Sequence, residues 1–124
     1  MSAARKTKVE QNAEELVQNL DEPKRSFALS LAVEVLWQAE KLRKTRREIG
    51  RDGVTVRYDN GGGQTGTRRN PAFDGYNALF KSYVLGLNKL EAMLGDAASE
   101  GTRAASTLQA LRLEITPMRP SDGG

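Results

Sequence analysis

The sequence contains neither cysteine nor histidine among its 124 residues. Without cysteine, the chain has no disulfide and no thiolate ligand for a metal ion. Without histidine, it lacks the commonest general base and the commonest metal ligand of proteins. These absences argue against most classes of enzyme, so we predict no catalytic site, no metal site and no cofactor.

Long apolar runs are also missing, since no uninterrupted run exceeds three residues. A membrane-spanning helix needs about 20 mainly apolar residues, so no contact with a membrane is predicted. The first residues include Arg5, Lys6 and Lys8 but no apolar stretch after them, which is not the pattern of a secretory signal. The expected location is the cytoplasm.

The charged residues are sorted along the chain, although the net charge is only +3. Residues 10–40 contain two basic and seven acidic residues, a net charge of −5. Residues 41–57 contain seven basic and two acidic residues, a net charge of +5. The sequence therefore predicts an acidic and a basic patch on one folded chain.

The first half of the chain predicts one short and one long helix. Residues 1–9 are small and polar and are predicted to form a disordered arm. A short helix is predicted over residues 10–20. After Pro23, apolar residues recur every seven positions from Lys24 to about Gly50, which predicts a long helix that is buried on more than one side.

A second long helix is predicted between Asn70 and Gly95. Asparagine is a preferred N-cap residue, and the proline that follows it is favoured at the first helical position. Large apolar residues repeat every seven positions, a seam like that of a coiled coil. They are Phe73, Phe80, Leu87 and Leu94 at one position and Tyr76, Tyr83 and Leu90 at the other.

The simplest architecture is mainly α, a long antiparallel helical hairpin within a domain over residues 10–95. Between the two long helices, residues 51–69 combine a β-branched stretch with a glycine-rich one. They are predicted to form a loop or a short β-ribbon at the tip of the hairpin. A short helix and a flexible tail are predicted over residues 96–124.

Two long helices do not cover each other's apolar faces completely, so we expect copies of the chain to associate. The predicted oligomerisation residues are Leu29, Val33, Leu36, Trp37, Phe73, Tyr76, Phe80, Tyr83, Leu87 and Leu90. In the alternative, the short flanking helices fold back onto the long pair and complete a monomeric bundle. The aromatic residues are interpreted as core rather than as a base-stacking platform because of their heptad spacing.

Basic residues are concentrated at the end of the first long helix and in the segment after it. The predicted nucleic-acid-binding residues are Lys41, Arg43, Lys44, Arg46, Arg47, Arg51, Arg57, Arg68 and Arg69. Folding as a hairpin gathers these charges at one end of the molecule, where a phosphate backbone would bind in a salt-sensitive way. In the alternative interpretation, the basic run is only a solvated helix face.

The glycine-rich stretch at residues 61–66 matches the dinucleotide pattern G-x-G-x-x-G. Thr67 and Arg68 occupy the places where a phosphate-binding loop needs lysine and then serine or threonine. The next helix begins only at Asn70 rather than on the glycines. A mobile loop is therefore predicted instead of a nucleotide site.

Three nearby aspartates are interpreted as turn and cap residues rather than as magnesium ligands of a nuclease: Asp52, Asp59 and Asp74.

The order of these features resembles that of the small subunit of phage terminases. The resemblance covers roughly residues 33–95 and consists of a basic helix, a β-branched segment, a glycine-containing loop and a helix that opens with Asn70-Pro71-Ala72 and contains Tyr83, Leu87 and Leu90. The stretch Leu113-Glu114-Ile115-Thr116-Pro117 is similar to the Leu-Gly-Leu-Thr-Pro ending of that family.

The resemblance implies a DNA-packaging adaptor that takes part in virion assembly in the bacterial host cytoplasm. Such a protein forms a homo-oligomer, often a ring, binds double-stranded viral DNA and engages the terminase large subunit, which carries the motor and nuclease activities. Two alternatives stay open at this point. One is a small helical nucleic-acid-binding regulator, and the other is a purely structural phage assembly protein.

Overall fold

A computed structural model of the protein describes residues 5–59, 61–99 and 101–114. In chain order these residues form α1 (Lys8–Val17), α2 (Lys24–Asp52), β1 (Thr55–Asp59), β2 (Thr65–Arg69), α3 (Pro71–Leu94), a 3₁₀ helix (Gly95–Ala98) and α4 (Arg103–Glu114). The predicted class, mainly helical with a small β-ribbon, is confirmed. The predicted tail after residue 114, with most of the Leu113–Pro117 motif, lies outside the described residues.

Helix α1 begins earlier than the sequence predicts. The Thr7 side chain caps it, since its Oγ1 accepts the Glu10 N–H at 3.1 Å. Lys8 and Val9, which were assigned to the disordered arm, are therefore helical. The helix buries Ala13, Leu16 and Val17, and residues 1–4 of the predicted arm lie outside the described residues.

Helix α2 runs from Lys24 to Asp52, about 43 Å at 1.5 Å per residue. It ends at Gly53, whose φ of 89° is a conformation that favours glycine. The Gly53 N–H still donates to the Ile49 carbonyl at 2.6 Å and satisfies one of the last carbonyls of the helix. Glycine thus stops the helix close to the predicted position.

Strands β1 and β2 pair antiparallel and form a two-stranded ribbon. Gly61, Gly62 and Gly63 all have positive φ, and the Gly61 N–H donates to Asp59 Oδ1 at 2.7 Å. These contacts turn the chain back on itself. Of the two alternatives predicted for residues 51–69, a loop or a short β-ribbon, the ribbon forms. Residues 65–69 of the glycine-rich stretch belong to it because they pair with β1, a contact that no local pattern encodes.

Helix α3 has the predicted start and end. Asn70 caps it, since its Oδ1 accepts the Ala72 N–H at 3.0 Å, and Pro71 occupies the first helical position. At the other end, the Gly95 N–H donates to the Glu91 carbonyl. The predicted helix after Gly95 is divided into the 3₁₀ helix and α4, which begins at Arg103.

Helices α2 and α3 pack against each other and run in opposite directions. Gln38 Nε2 donates to Ser82 Oγ at 3.1 Å. Further along α3, a Cβ atom on Gly86 would lie 3.1 Å from Val35 Cγ2, so the two backbones approach closely. Residues earlier in α2 therefore meet residues later in α3.

The short helices α1 and α4 fold onto this pair and close a core within one chain. Tyr83 of α3 donates its hydroxyl hydrogen to the Leu111 carbonyl of α4 at 3.0 Å. Arg103 of α4 pairs with Glu15 of α1. The buried core draws on all four helices, and its largest fully buried side chains are Tyr83, Leu42, Leu87, Leu90, Leu94, Val17 and Val35.

The contacts of the short helices fall on only part of the long pair. Side chains of α1 line grooves with residues 29–40 of α2, and α4 meets α3 at Tyr83 and at Glu91, which pairs with Arg112. We call the remainder, residues 41–52 of α2 and 71–80 of α3, the open half. The ribbon extends from the end of this open half.

Candidate nucleic-acid interface

Six of the predicted nucleic-acid-binding residues lie in the open half, on the last three turns of α2. Lys44, Arg47 and Arg51 are exposed, whereas Lys41, Arg43 and Arg46 are half-buried. Residues three or four positions apart lie on one side of a helix. Arg43, Lys44, Arg47 and Arg51 follow this spacing and form one basic stripe.

Lys41 and Arg51 are among the cations of this group that already have partners. Lys41 Nζ lies 5.6 Å from the centre of the Trp37 ring, a cation–π contact. Arg51 donates two hydrogen bonds to Asp52, at 2.9 and 3.1 Å. These hydrogen bonds raise the pKa of Arg51 and lower the pKa of Asp52. The Asp52 carboxylate therefore already neutralises part of the charge that Arg51 could offer to a phosphate.

The ribbon divides its three arginines between two faces. Residues directly opposite each other share a face, and alternate residues of a strand share it too. Arg57 pairs with Thr67 and lies on the same face as Arg69. Arg68 lies on the other face, with Tyr58 and Gly66. The sequence predicted the three arginines as one group, and the register separates them.

Arg69 is held in place at the base of the ribbon. Its Nε lies 2.8 Å from Asp74 Oδ1, and its guanidinium carbon lies 4.7 Å from the centre of the Phe73 ring. Two contacts from the first turn of α3 thus fix the direction of this side chain. Arg69 thus connects the ribbon to α3, while 56% of its side chain remains exposed.

The anchor between the ribbon and the helices is Asn70, which is buried. Its backbone N–H donates to the Val54 carbonyl at 2.7 Å, and its Nδ2 donates to the Gly53 carbonyl at 2.8 Å. The start of α3 is thereby tied to the end of α2. This closure brings Arg57, Arg68 and Arg69 to the same end of the molecule as the basic stripe.

The half of the molecule that contains α1 carries the acidic residues. Helix α1 contributes Glu10, Glu14 and Glu15, and the middle of α2 contributes Glu34 and Glu40. Glu10, Glu14, Glu34 and Glu40 line the grooves between α1 and α2, together with Val9, Leu29, Val33 and Trp37. The acidic patch thus lies along the grooves between α1 and α2, and the basic patch lies on the open half and the ribbon.

The three aspartates near the ribbon each have a local role. Asp52 pairs with Arg51, Asp59 accepts the Gly61 N–H, and Asp74 pairs with Arg69. Within the described residues, no three carboxylates are grouped in a way that would hold a metal ion. The glycine pattern at residues 61–66 forms the ribbon turn and the start of β2, not the entrance of a helix.

The predicted oligomerisation residues divide into buried and accessible ones. Leu36 is buried, and Tyr83, Leu87 and Leu90 have 0% exposure. These four belong to the core of the single chain and are not available to another copy while this fold persists, which corrects the prediction. The accessible ones are Leu29, Val33, Trp37, Phe73, Tyr76 and Phe80.

The accessible set has two parts. Trp37 is 44% exposed and lies beside Val33 in a groove between α1 and α2 that Glu10, Glu34 and Glu40 also line. Tyr76 and Phe80 lie in the open half and stack with their ring centres 6.1 Å apart and their planes at 26°. The predicted set did not include Phe27 and Leu85, which are 69% and 71% exposed.

The chain matches no family model, no curated protein and no solved structure. None of the helices in the described part of the chain is both long and apolar enough to cross a membrane.

Proposed function

We propose that the protein is a non-enzymatic DNA-binding adaptor that assembles with copies of itself, of the kind represented by phage terminase small subunits. In this proposal α2 and α3 act as a helical hairpin whose ribbon end contacts double-stranded DNA. The observation that carries it is the collection of nine basic residues on the open half and the ribbon, with Glu10, Glu14, Glu34 and Glu40 along the grooves between α1 and α2. The resemblance of residues 33–95 adds the terminase large subunit as the second partner.

The separation of charge supports an electrostatic contact with a phosphate backbone. Lys44, Arg47, Arg57 and Arg68 are all exposed. No carboxylate pairs with any of these four among the residues that the structure describes. Four phosphate contacts correspond to a slope of log affinity against log salt of roughly −3.6. Binding should therefore weaken steeply between low and physiological salt.

A charge-reversal experiment tests DNA contact. Lys44→Glu with Arg47→Glu changes the charge of the basic stripe by four units at two exposed positions. The matched control is Lys8→Glu with Lys24→Glu, two exposed lysines at helix starts in the other half. We expect the first variant to lose most of its affinity for duplex DNA at about 0.1 M salt, where screening acts over ~10 Å, and the control to keep it. Equal affinities for the two variants would contradict the proposal.

Self-association rests on the apolar side chains that the single chain leaves accessible. Trp37→Ala removes the largest of these at the groove between α1 and α2. Phe27→Ala is a control at another exposed aromatic residue outside the predicted set, 69% exposed against 44% for Trp37. Native mass spectrometry should show smaller assemblies for Trp37→Ala and unchanged ones for Phe27→Ala. A wild-type protein that stays monomeric across a wide concentration range would remove the packaging proposal.

One observation favours a second candidate, a small nucleic-acid-binding regulator. The core of α1 to α4 closes within one chain, with Tyr83, Leu87 and Leu90 fully buried, so the fold does not require a ring. A regulator would bind DNA as a monomer or dimer. Mass measurement of the DNA complex separates the candidates, and assembly without DNA affinity would instead indicate a purely structural protein.

A further inference from the structure

One face of the β-ribbon is polar and exposed. The register places six side chains on it, all of them exposed: Thr55, Arg57, Asp59, Thr65, Thr67 and Arg69. On the opposite face, Tyr58 lies across the ribbon against Gly66, where a Cβ atom would come within 2.8 Å of the Tyr58 hydroxyl. The hydroxyl, carboxylate and guanidinium groups of the polar face therefore point away from this aromatic contact.

We infer that this polar face enters the major groove of duplex DNA and reads base edges there. The inference rests on the proposed DNA-binding function and adds to it a mode of recognition. A two-stranded ribbon has its strands about 4.8 Å apart. It fits the major groove, which is about 12 Å wide, but not the minor groove of about 6 Å. Five residues per strand extend about 16 Å, enough to follow the groove over several base pairs.

Arg57 is the side chain that this arrangement assigns to base recognition. No ion pair holds its guanidinium among the described residues. A guanidinium donates two parallel hydrogen bonds to O6 and N7 of guanine, the commonest specific contact in the major groove. Thr67, directly across the ribbon from Arg57, has a hydroxyl for hydrogen bonding and a methyl group that fits the thymine methyl.

The other charged residues of this face are engaged already. Arg69 is bound by Asp74 and stacked on Phe73. Asp59 accepts the Gly61 N–H and fixes the turn. Both therefore shape the ribbon, whereas Arg57 remains free to reach a base. In this inference Arg47, which is exposed in the last two turns of α2, contacts the phosphate backbone. Such a contact positions the protein without reading sequence.

The test begins with wild-type protein and a random duplex library at about 0.15 M salt. The enriched duplex and a scrambled duplex of the same composition are then bound to wild type, Arg57→Lys and Arg47→Ala. Lysine keeps the charge of Arg57 but loses the paired donors. Arg57→Lys should bind the enriched duplex roughly 5- to 150-fold more weakly and the scrambled duplex almost unchanged. Arg47→Ala should weaken both equally and reduce the salt slope by about one.

Two outcomes would overturn the inference and leave the proposed function standing. One is a wild-type protein that binds duplex DNA tightly but enriches no sequence. The other is an Arg57→Lys variant that keeps the full preference for the enriched duplex. Absence of binding to any duplex would instead remove the proposed function and the inference together. Thermal unfolding of each variant verifies that the exposed substitutions leave the fold intact.

Discussion

Asn70 offers the sharpest test of how the ribbon is joined to the helices, because one side chain makes two buried contacts. Its Oδ1 caps α3 through the Ala72 N–H, at 3.0 Å, and its Nδ2 donates to the Gly53 carbonyl, at 2.8 Å. Asn70→Ala removes both. Asn70→Asp keeps an acceptor for the cap but replaces the donor to Gly53 with a second oxygen. The two variants thus separate the cap from the anchor.

The expected magnitudes follow from these contacts. Loss of an N-cap costs about 1 kcal/mol, within a range of about 0.5 to 2. Loss of a buried hydrogen bond that leaves the Gly53 carbonyl unsatisfied costs about another 1 kcal/mol or more. We therefore expect Asn70→Ala to lower the free energy of unfolding by about 2 to 3 kcal/mol. Asn70→Asp should keep the cap, because a carboxylate is a good cap at a helix N-terminus. Its second oxygen faces the Gly53 carbonyl oxygen instead of donating to it, so this variant should lose at least the second contribution.

Urea unfolding followed by circular dichroism and by the fluorescence of the single tryptophan, Trp37, measures these differences. Both variants should have a lower unfolding midpoint than wild type, with similar dependence on urea concentration. An Asn70→Ala cost below about 0.5 kcal/mol, the least expected for a cap alone, would refute this account of the junction.

Further stability predictions concern α3. Tyr83→Phe removes the buried hydrogen bond to the Leu111 carbonyl, and thermal unfolding should show a loss of about 1 kcal/mol; an unchanged melting temperature would mean that α4 is not docked this way. Gly75→Ala should stabilise the helix by about 0.4 to 1 kcal/mol because a Cβ atom there meets nothing within 4 Å. Gly86→Ala should lack this gain, since its Cβ would lie 3.1 Å from Val35 Cγ2, and equal gains at both positions would contradict the close packing of α2 and α3.

Helix boundaries were predictable wherever local chemistry sets them. Gly53, Asn70 and Gly95 end or begin helices through contacts with residues at most four positions away. For residues 65–69 the sequence left a loop and a strand of a ribbon open, because a stretch of threonine, glycine and arginine has no apolar alternation of its own. It becomes a strand only by pairing with β1 across the glycine turn, which is a non-local cause.

The candidate site was predictable in position but not in detail. The charge pattern placed the basic residues at one end because the ribbon follows directly on α2. Which arginines share a face depends on the strand register, and the pairing of Arg57 with Thr67 is set by the turn at residues 61–63. The ion pairs of Arg51 with Asp52 and of Arg69 with Asp74 could not be predicted from the sequence either. Each depends on the direction in which one neighbouring carboxylate points.

The heptad pattern of α3 showed which residues share a face but not what covers them. Helices α1 and α4 have 10 and 12 residues, about 15 and 18 Å, against about 43 Å for α2. They bury one stretch of the seam, and the open half keeps its rings only half-buried. If copies associate, the apolar contact therefore comes from residues such as Phe80 and not from Leu87.

A pair of alanine substitutions in the same heptad position tests this division. Leu87 has 0% exposure, so Leu87→Ala should cost about 2 to 5 kcal/mol of folding stability and leave assembly unchanged where the protein is still folded. Phe80 is half-buried beside Tyr76. Phe80→Ala should therefore cost less folding stability than Leu87→Ala, and it should weaken assembly more in native mass spectra. A side chain enclosed by its own chain has no surface for a second copy to bind. If Leu87→Ala instead separates an assembly into folded monomers, α1 and α4 do not cover the seam in solution.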